Sequence, residues 1–245
     1  MNDLYIECLC GVSGDMLVGS LLDLGVSEDK LRRVLSSLGI DDEFSIKIKE
    51  VVKSEITFKD FDVILKYDYN THPHKTRNIY DVYKILDNLE DERVKDLAKK
   101  IFMIHAVAFS KAHNCKIEEV DFHEAGAVDS IIDITSASFC LTELNLDKIY
   151  VSKLYEGYGF IQCRKGLLSV PVPAVKNIIN DYNIPLVITD NEGEQITPTG
   201  AAIIAGIKTD NDICNMGEVL KTGYGLGKRY PDRLSFVKTM LLKKN

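Results

Sequence analysis

His123, Glu124, Asp129 and Asp133 fall within one short span, Asp121–Asp133 (DFHEAGAVDSIID). An imidazole and carboxylates this close together supply ligands for a divalent metal, or an acid–base pair. Asp129 and Asp133 are four residues apart, so a helix would place both on one face. The rest of that helix is apolar (Ile131, Ile132, Ile134, Phe139), and two acids there are costly unless paired or metal-bound. A solvated capping cluster at the helix start explains the same residues.

A second group is His72-Pro73-His74, two imidazoles on a polar segment. They suit a borderline divalent metal such as nickel, and read equally as incidental loop histidines. A third is Gly11-Val12-Ser13-Gly14-Asp15, between a strand pattern and a helix pattern. Its backbone N–H groups and the helix start would favour a phosphate, and an ordinary tight turn capped by Ser13 or Asp15 accounts for it too. Cys8 and Cys10 would share a strand face just before it. The fourth, Glu194–Ala202, holds Thr197, Thr199 and Gly200 around Pro198, a helix start fit for a carboxylate, thiocarboxylate or phosphate, or for capping alone. His105 and His113 share a helix face only in part, and His105 reads as a core histidine.

The elements that must position these groups follow from hydrophobic periodicity. Strands are expected at Leu4–Cys8, Phe44–Val52, Ile56–Tyr67, Lys148–Tyr155 and Gly159–Cys163, with Gly157 and Gly159 in a turn. Helices are expected at Met16–Leu24, Lys30–Leu38 (N-cap Ser27, stop Gly39), Arg77–Leu89, Arg93–Ala112 and Val128–Leu144. Further helices are expected after Pro171 and Pro173, running through Tyr182, and over Ala201–Ile207. Asp68–Lys75 reads as a loop. The Gly223–Gly227 sequence (GYGLG) reads as a turn before a final strand. Strands and helices mix without strict alternation, which predicts an α/β or α+β fold, a mixed sheet with packed helices.

The chain has 245 residues, 45% hydrophobic and 27% charged, as in a folded globular protein. A net charge of −7 argues against general nucleic-acid binding, which needs a basic face. The apolar runs Phe102–Phe109 and Ala201–Ile207 are too short to span a bilayer. The N-terminus shows no basic-then-apolar signal, so a cytoplasmic location is expected, with the scattered cysteines reduced.

In chain order, five stretches resemble the LarC family of nickel-insertion proteins. They are Tyr5–Val26, Glu118–Asp133, Leu168–Ala174 (LSVPVPA), Gln195–Ala202 (QITPTGAA) and Gly223–Gly227. The resemblance implies a lyase-class, cyclometallase-like enzyme. It would insert nickel into a pyridinium mononucleotide bearing two thiocarboxylates, making two Ni–S bonds and one Ni–C bond. It also implies use of CTP with magnesium or manganese, and a product that serves lactate racemase. The family's CTP site lies on a C-terminal domain that would begin near the end of this chain. Residues 1–245 are therefore expected to form one N-terminal region, divisible at 1–70, 71–145 and 146–245, that works with such a domain or as a homo-oligomer. Asp121, Lys165 and Asn114 depart from the family pattern, as do Asp232 and Ser235 in Pro231–Ser235.

On this reading Gly11, Ser13, Gly14, Asp15, Thr197, Thr199 and Gly200 bind the substrate phosphate. His72, His74, His123, Asp129 and Asp133 handle nickel, and His123 or Glu124 removes the ring proton. Two other functions fit the same residues. One is a nickel or cofactor carrier without chemistry. The other is a metal-dependent phosphohydrolase using Asp129, Asp133 and His123.

Overall fold

The structure is a computed structural model that describes residues 2–66, 76–122, 128–163, 166–209, 217–230 and 232–243. Its main sheet has six strands in the order β2-β3-β9-β10-β1-β4. The strand β1 (Asn2–Glu7) is central, with Leu4 and Ile6 fully buried and Tyr5 nearly so. Burial on both faces is what a central strand requires. It pairs antiparallel with β10 (Phe236–Leu242) and parallel with β4 (Leu146–Val151). On the other side β10 pairs antiparallel with β9 (Val219–Leu226). A long hairpin, β2 (Phe44–Lys53) and β3 (Ile56–Leu65), completes the sheet. It joins β9 in parallel at Lys59↔Gly225. Ser54 and Glu55 both take positive φ (49° and 64°), the backbone of a two-residue hairpin turn matched to strand twist.

The helix α1 (Gly14–Asp23) links the sheet to the helical layer, packing on β9, β3 and β10 and also on α5 (Val128–Leu144) and α7 (Pro198–Ile207). Around these lie α4 (Glu92–His113) and α6 (Pro173–Asp181). The helix α2 (Glu28–Ser37) rests on α5, and α3 (Ile79–Leu86) on α4. As its spacing predicts, α2 is capped by Ser27, whose side chain accepts the Lys30 N–H. Most of the α5 circumference is buried, as expected of an apolar helix in a core. His105 is a core histidine stacked between Phe109 and Phe122, and burial alone pulls its pKa down to about 4. Outside the main sheet, β5 (Leu154–Tyr158) pairs in parallel with β8 (Leu186–Glu192), while β6 (Phe160–Cys163) and β7 (Gly166–Ser169) form a hairpin. Cys8, Cys10, Cys115 and Cys140 are free thiols, and Cys214 lies outside the described residues.

The mixed α/β architecture is the expected one, with three local corrections. The pattern Lys148–Tyr155 is two strands in different sheets, because the chain leaves β1 after Ser152, whose N–H donates to Ile6, and Leu154 turns to Pro185. Gly157 lies inside β5, where a side chain would strike the Gly193 carbonyl. Gly223–Gly227 is mostly strand β9 rather than a turn: Cβ atoms on Gly223 and Gly225 would collide with the backbone of α1. The strands β7 and β8 have no counterpart in the sequence reading. None of the described helices is long and apolar enough to cross a membrane.

Candidate functional site

Two motifs almost two hundred residues apart in sequence form one wall. Gly11 takes a positive φ of 85° and presses against the Gln195 carbonyl, where a side chain would not fit. Val12 N–H then donates to Gln195 at 3.0 Å, and Thr197 N–H returns to Val12 at 3.0 Å. The contact is close because Gly200 presents no Cβ to the Val12 carbonyl. Beneath it the buried Glu156 carboxylate accepts N–H groups from Gly157 (2.9 Å), Gln195 (2.6 Å) and Ile196 (3.2 Å). Burial pushes its pKa up, and those three donors work against the shift. Thr197 caps α7 by accepting the Gly200 N–H at 3.1 Å, and Thr199 meets the Ser130 hydroxyl of α5 at 3.0 Å.

This wall closes one side of a cleft of about 320 Å³. Ser13, Asp15, Thr197 and Thr199 line it from the two loops, Asp129 and Asp133 from α5, and Asp62 from β3. Lys228, Arg229 and Arg233, from the segment after β9, line it as well.

Asp133 is buried, with its carboxyl over Gly14, where a Cβ would overlap it. Its Oδ1 has no hydrogen-bond partner among the described residues. Burial first, then the charges of Asp129 and Asp15, hold the Asp133 carboxyl well above the usual carboxylate range. Asp129, one turn earlier, is raised to about 6 by burial and then by Asp15. Asp15 is raised chiefly by burial, although the Ser13 hydroxyl and the Met16 N–H (2.9 Å) both donate to it. The ammonium of Lys228 sits 2.9 Å from Asp62, 3.1 Å from Asp60 and 3.7 Å from Asp15, and donates to the Phe61 carbonyl at 2.9 Å. Burial pulls its pKa down, but Asp62, Asp15 and Asp60 outweigh that and the net shift is upward. One ammonium shared among these carboxyls leaves the α5 pair short of positive charge, a setting that favours a bound cation. No three metal-ligating side chains converge among the described residues. Two arginines also line the cleft: Arg229 pairs with the buried Glu194, and Arg233 lies over the Tyr230 ring, 4.2 Å from its centre.

The family profile described as nickel insertion protein matches residues 4–245. The chain belongs to the nickel insertion protein family. Among curated relatives, a pyridinium-3,5-bisthiocarboxylic acid mononucleotide nickel insertion protein of Alkaliphilus metalliredigens is 43% identical, over 100% of this chain and 61% of its own length. Proteins of the same name from Acetivibrio thermocellus and Clostridium kluyveri are 42% and 37% identical, over 98% and 94% of this chain and 60% and 59% of their own lengths. The chain thus spans about 60% of the length of these relatives. No solved structure matches it.

Within this member of the family, Ser13, Gly14, Asp15, Thr197, Thr199, Asp129 and Asp133 gather around one cleft. Gly11 and Gly200 sit where the two loops cross, and their lack of side chains is what lets the loops touch. His72, His74, His123 and Glu124 lie outside the described residues. Phe122, just before them, is fixed in the aromatic cluster of Phe102, His105 and Phe109, and its N–H donates to the Arg77 carbonyl at 3.1 Å. Sequence reasoning missed Asp62, Lys228, Arg229 and Arg233, and named Glu194 only as the start of the fourth motif without a role. A signal was available in part: Asp60 and Asp62 alternate on β3, and Lys228-Arg229 follows directly on the glycine strand.

Proposed function

We propose that this chain inserts nickel into pyridinium-3,5-bisthiocarboxylic acid mononucleotide, the substrate in its relatives' names, to give the nickel-pincer cofactor. The observation that carries this reading is the polarity of the cleft. The half-buried Asp129 and buried Asp133 carboxyls line the same cleft as the cationic Lys228, Arg229 and Arg233. A dication and an anionic nucleotide are the pair of reactants that such a cleft suits.

In this account nickel is a substrate, delivered by His72 and His74 and held by Asp129 and Asp133 with His123. The substrate phosphate lies along Ser13–Asp15 and the Thr197–Gly200 helix start, where Ser13, Thr197 and Thr199 line the cleft and Gly11 and Gly200 keep the loops together. Two Ni–S bonds form to the thiocarboxylates. The Ni–C bond replaces a ring C–H bond, and its proton passes to His123 or Glu124 while nickel, as Lewis acid, favours its loss. The chemistry belongs to a cytoplasmic, lyase-class cyclometallase, and the product serves lactate racemase. CTP with magnesium or manganese acts through further sequence of the kind the relatives possess, or through a second copy. The described residues offer no three-ligand set for that metal.

The test is an insertion assay with nickel, CTP and the mononucleotide, supplemented with the separate remainder of a relative. His123→Ala should abolish the product spectrum while its thermal unfolding matches wild type. Full activity in that variant contradicts the base and ligand assignment.

A further inference from the structure

Arg233 is held from several sides, yet part of its guanidinium is unused. Its backbone N–H closes a turn on the Tyr230 carbonyl at 3.3 Å. Its guanidinium lies 4.2 Å from the centre of the Tyr230 ring, a cation–π stack. The ring has its place because Gly193, at the end of β8, carries no side chain: a Cβ there would run into the Tyr230 hydroxyl. Nη1 reaches the Glu192 carbonyl at 3.4 Å, the long end of the hydrogen-bond range. Nη2 is buried and has no hydrogen-bond partner among the described residues. Glu194, the carboxylate on the same wall of the cleft, is engaged by Arg229.

A charged donor kept from water and without an acceptor is costly, and native proteins keep such a group where something else completes it. The guanidinium is seated over the Tyr230 ring, and Arg233 borders the cleft. A planar, immobilised fork of N–H donors is matched by an oxyanion with two oxygens, either a phosphate or a carboxylate. A lysine on the same backbone would offer a point charge without that geometry.

We infer that Arg233, oriented by Tyr230 and Gly193, is the residue that grips an oxyanion of the substrate in the cleft. This rests on the proposed cleft as the substrate site, and goes beyond it by assigning the anion to a side chain that neither glycine loop contains. The substrate's name implies two candidate groups, the phosphate and the pair of ring thiocarboxylates. Tyr230 and Gly193 act as positioning residues, since they hold the arginine rather than the ligand.

The experiment is calorimetric titration of the full chain with ribose 5-phosphate and, separately, with pyridine-3,5-dicarboxylate. Wild type is compared with Arg233→Ala, Arg233→Lys and Tyr230→Leu, and thermal unfolding of each variant verifies that it folds. Wild type should bind at least one probe, and Arg233→Ala should weaken that binding by roughly tenfold or more, the scale of a lost charge-assisted hydrogen bond. Arg233→Lys should fall between the two, and Tyr230→Leu should lose less than Arg233→Ala. The probe affected tells whether phosphate or ring carboxylate is gripped. Equal affinity in wild type and Arg233→Ala, or no binding of either probe by wild type, overturns the inference. Nickel titration of the same samples reports on the cleft separately: unchanged nickel affinity in Arg233→Ala with lost anion binding separates this inference from the nickel reading.

Discussion

Asp129 shows how the fold sets the chemistry of a single carboxyl. Burial and the neighbouring Asp15 raise it to about 6, so between the ordinary carboxylate range and that value the folded protein holds a proton the unfolded chain has lost. Stability from this group is therefore highest in acid and falls as pH rises through about 6. Asp129→Asn removes the penalty. It should raise the melting temperature at pH 7 to 8, with the gain shrinking as the pH falls through about 6, in unfolding scans across that range. Nickel needs the ionised carboxylate, so wild-type nickel affinity should decline over the same interval. A melting temperature in Asp129→Asn that is unchanged at every pH would mean that Asp129 is solvated and ordinary. The Asp129–Asp133 pair was legible in sequence, because four-residue spacing on an apolar helix is a local signal. Arg233 and Lys228 were not, because each is held by a contact with distant residues: Glu192 for one, Asp60 and Asp62 for the other.

Among the elements, the crossing of α1 over β9 governs where Ser13–Asp15 can stand. The helix begins at Gly14, and its next turns lie so close to Gly223 and Gly225 that no Cβ fits between them. Glycine is normally weak in a strand, and here close approach of another backbone outweighs that cost. This is why GYGLG read as a turn: propensity is local, whereas the reason for these glycines lies about two hundred residues away. Gly225→Ala should push α1 from the sheet, destabilise the chain by about 1–3 kcal/mol and lower nickel affinity with it, measured by denaturant unfolding and titration. A variant as stable as wild type would show that α1 has room to move. The undivided reading of Lys148–Tyr155 failed for a related reason. The hydrophobic pattern runs on through Ser152 and Lys153, while pairing switches from β1 to β8.

For the whole molecule, the candidate site is assembled from segments spread along the chain: the loop before α1, β3, the first two turns of α5, the loop into α7 and the segment after β9. The mixed sheet and its helices were legible because strong periodic segments, such as α5 and the β2–β3 hairpin, declare themselves locally. The cleft was legible only as separate motifs, since nothing in the sequence alone states that Val12 and Ile196 bridge. The same architecture gathers carboxyls and cationic side chains around one cleft, and the proposed function depends on the carboxyls. Calorimetric nickel titration of the full chain, wild type against an Asp129→Asn/Asp133→Asn double variant, tests this most directly, with His123→Ala and a His72→Ala/His74→Ala variant alongside. The account predicts saturable nickel binding at pH 7.5 that weakens by roughly tenfold or more in the aspartate variant, which melts no lower than wild type. Nickel binding that survives the double substitution undiminished, or no nickel binding by wild type, would contradict it.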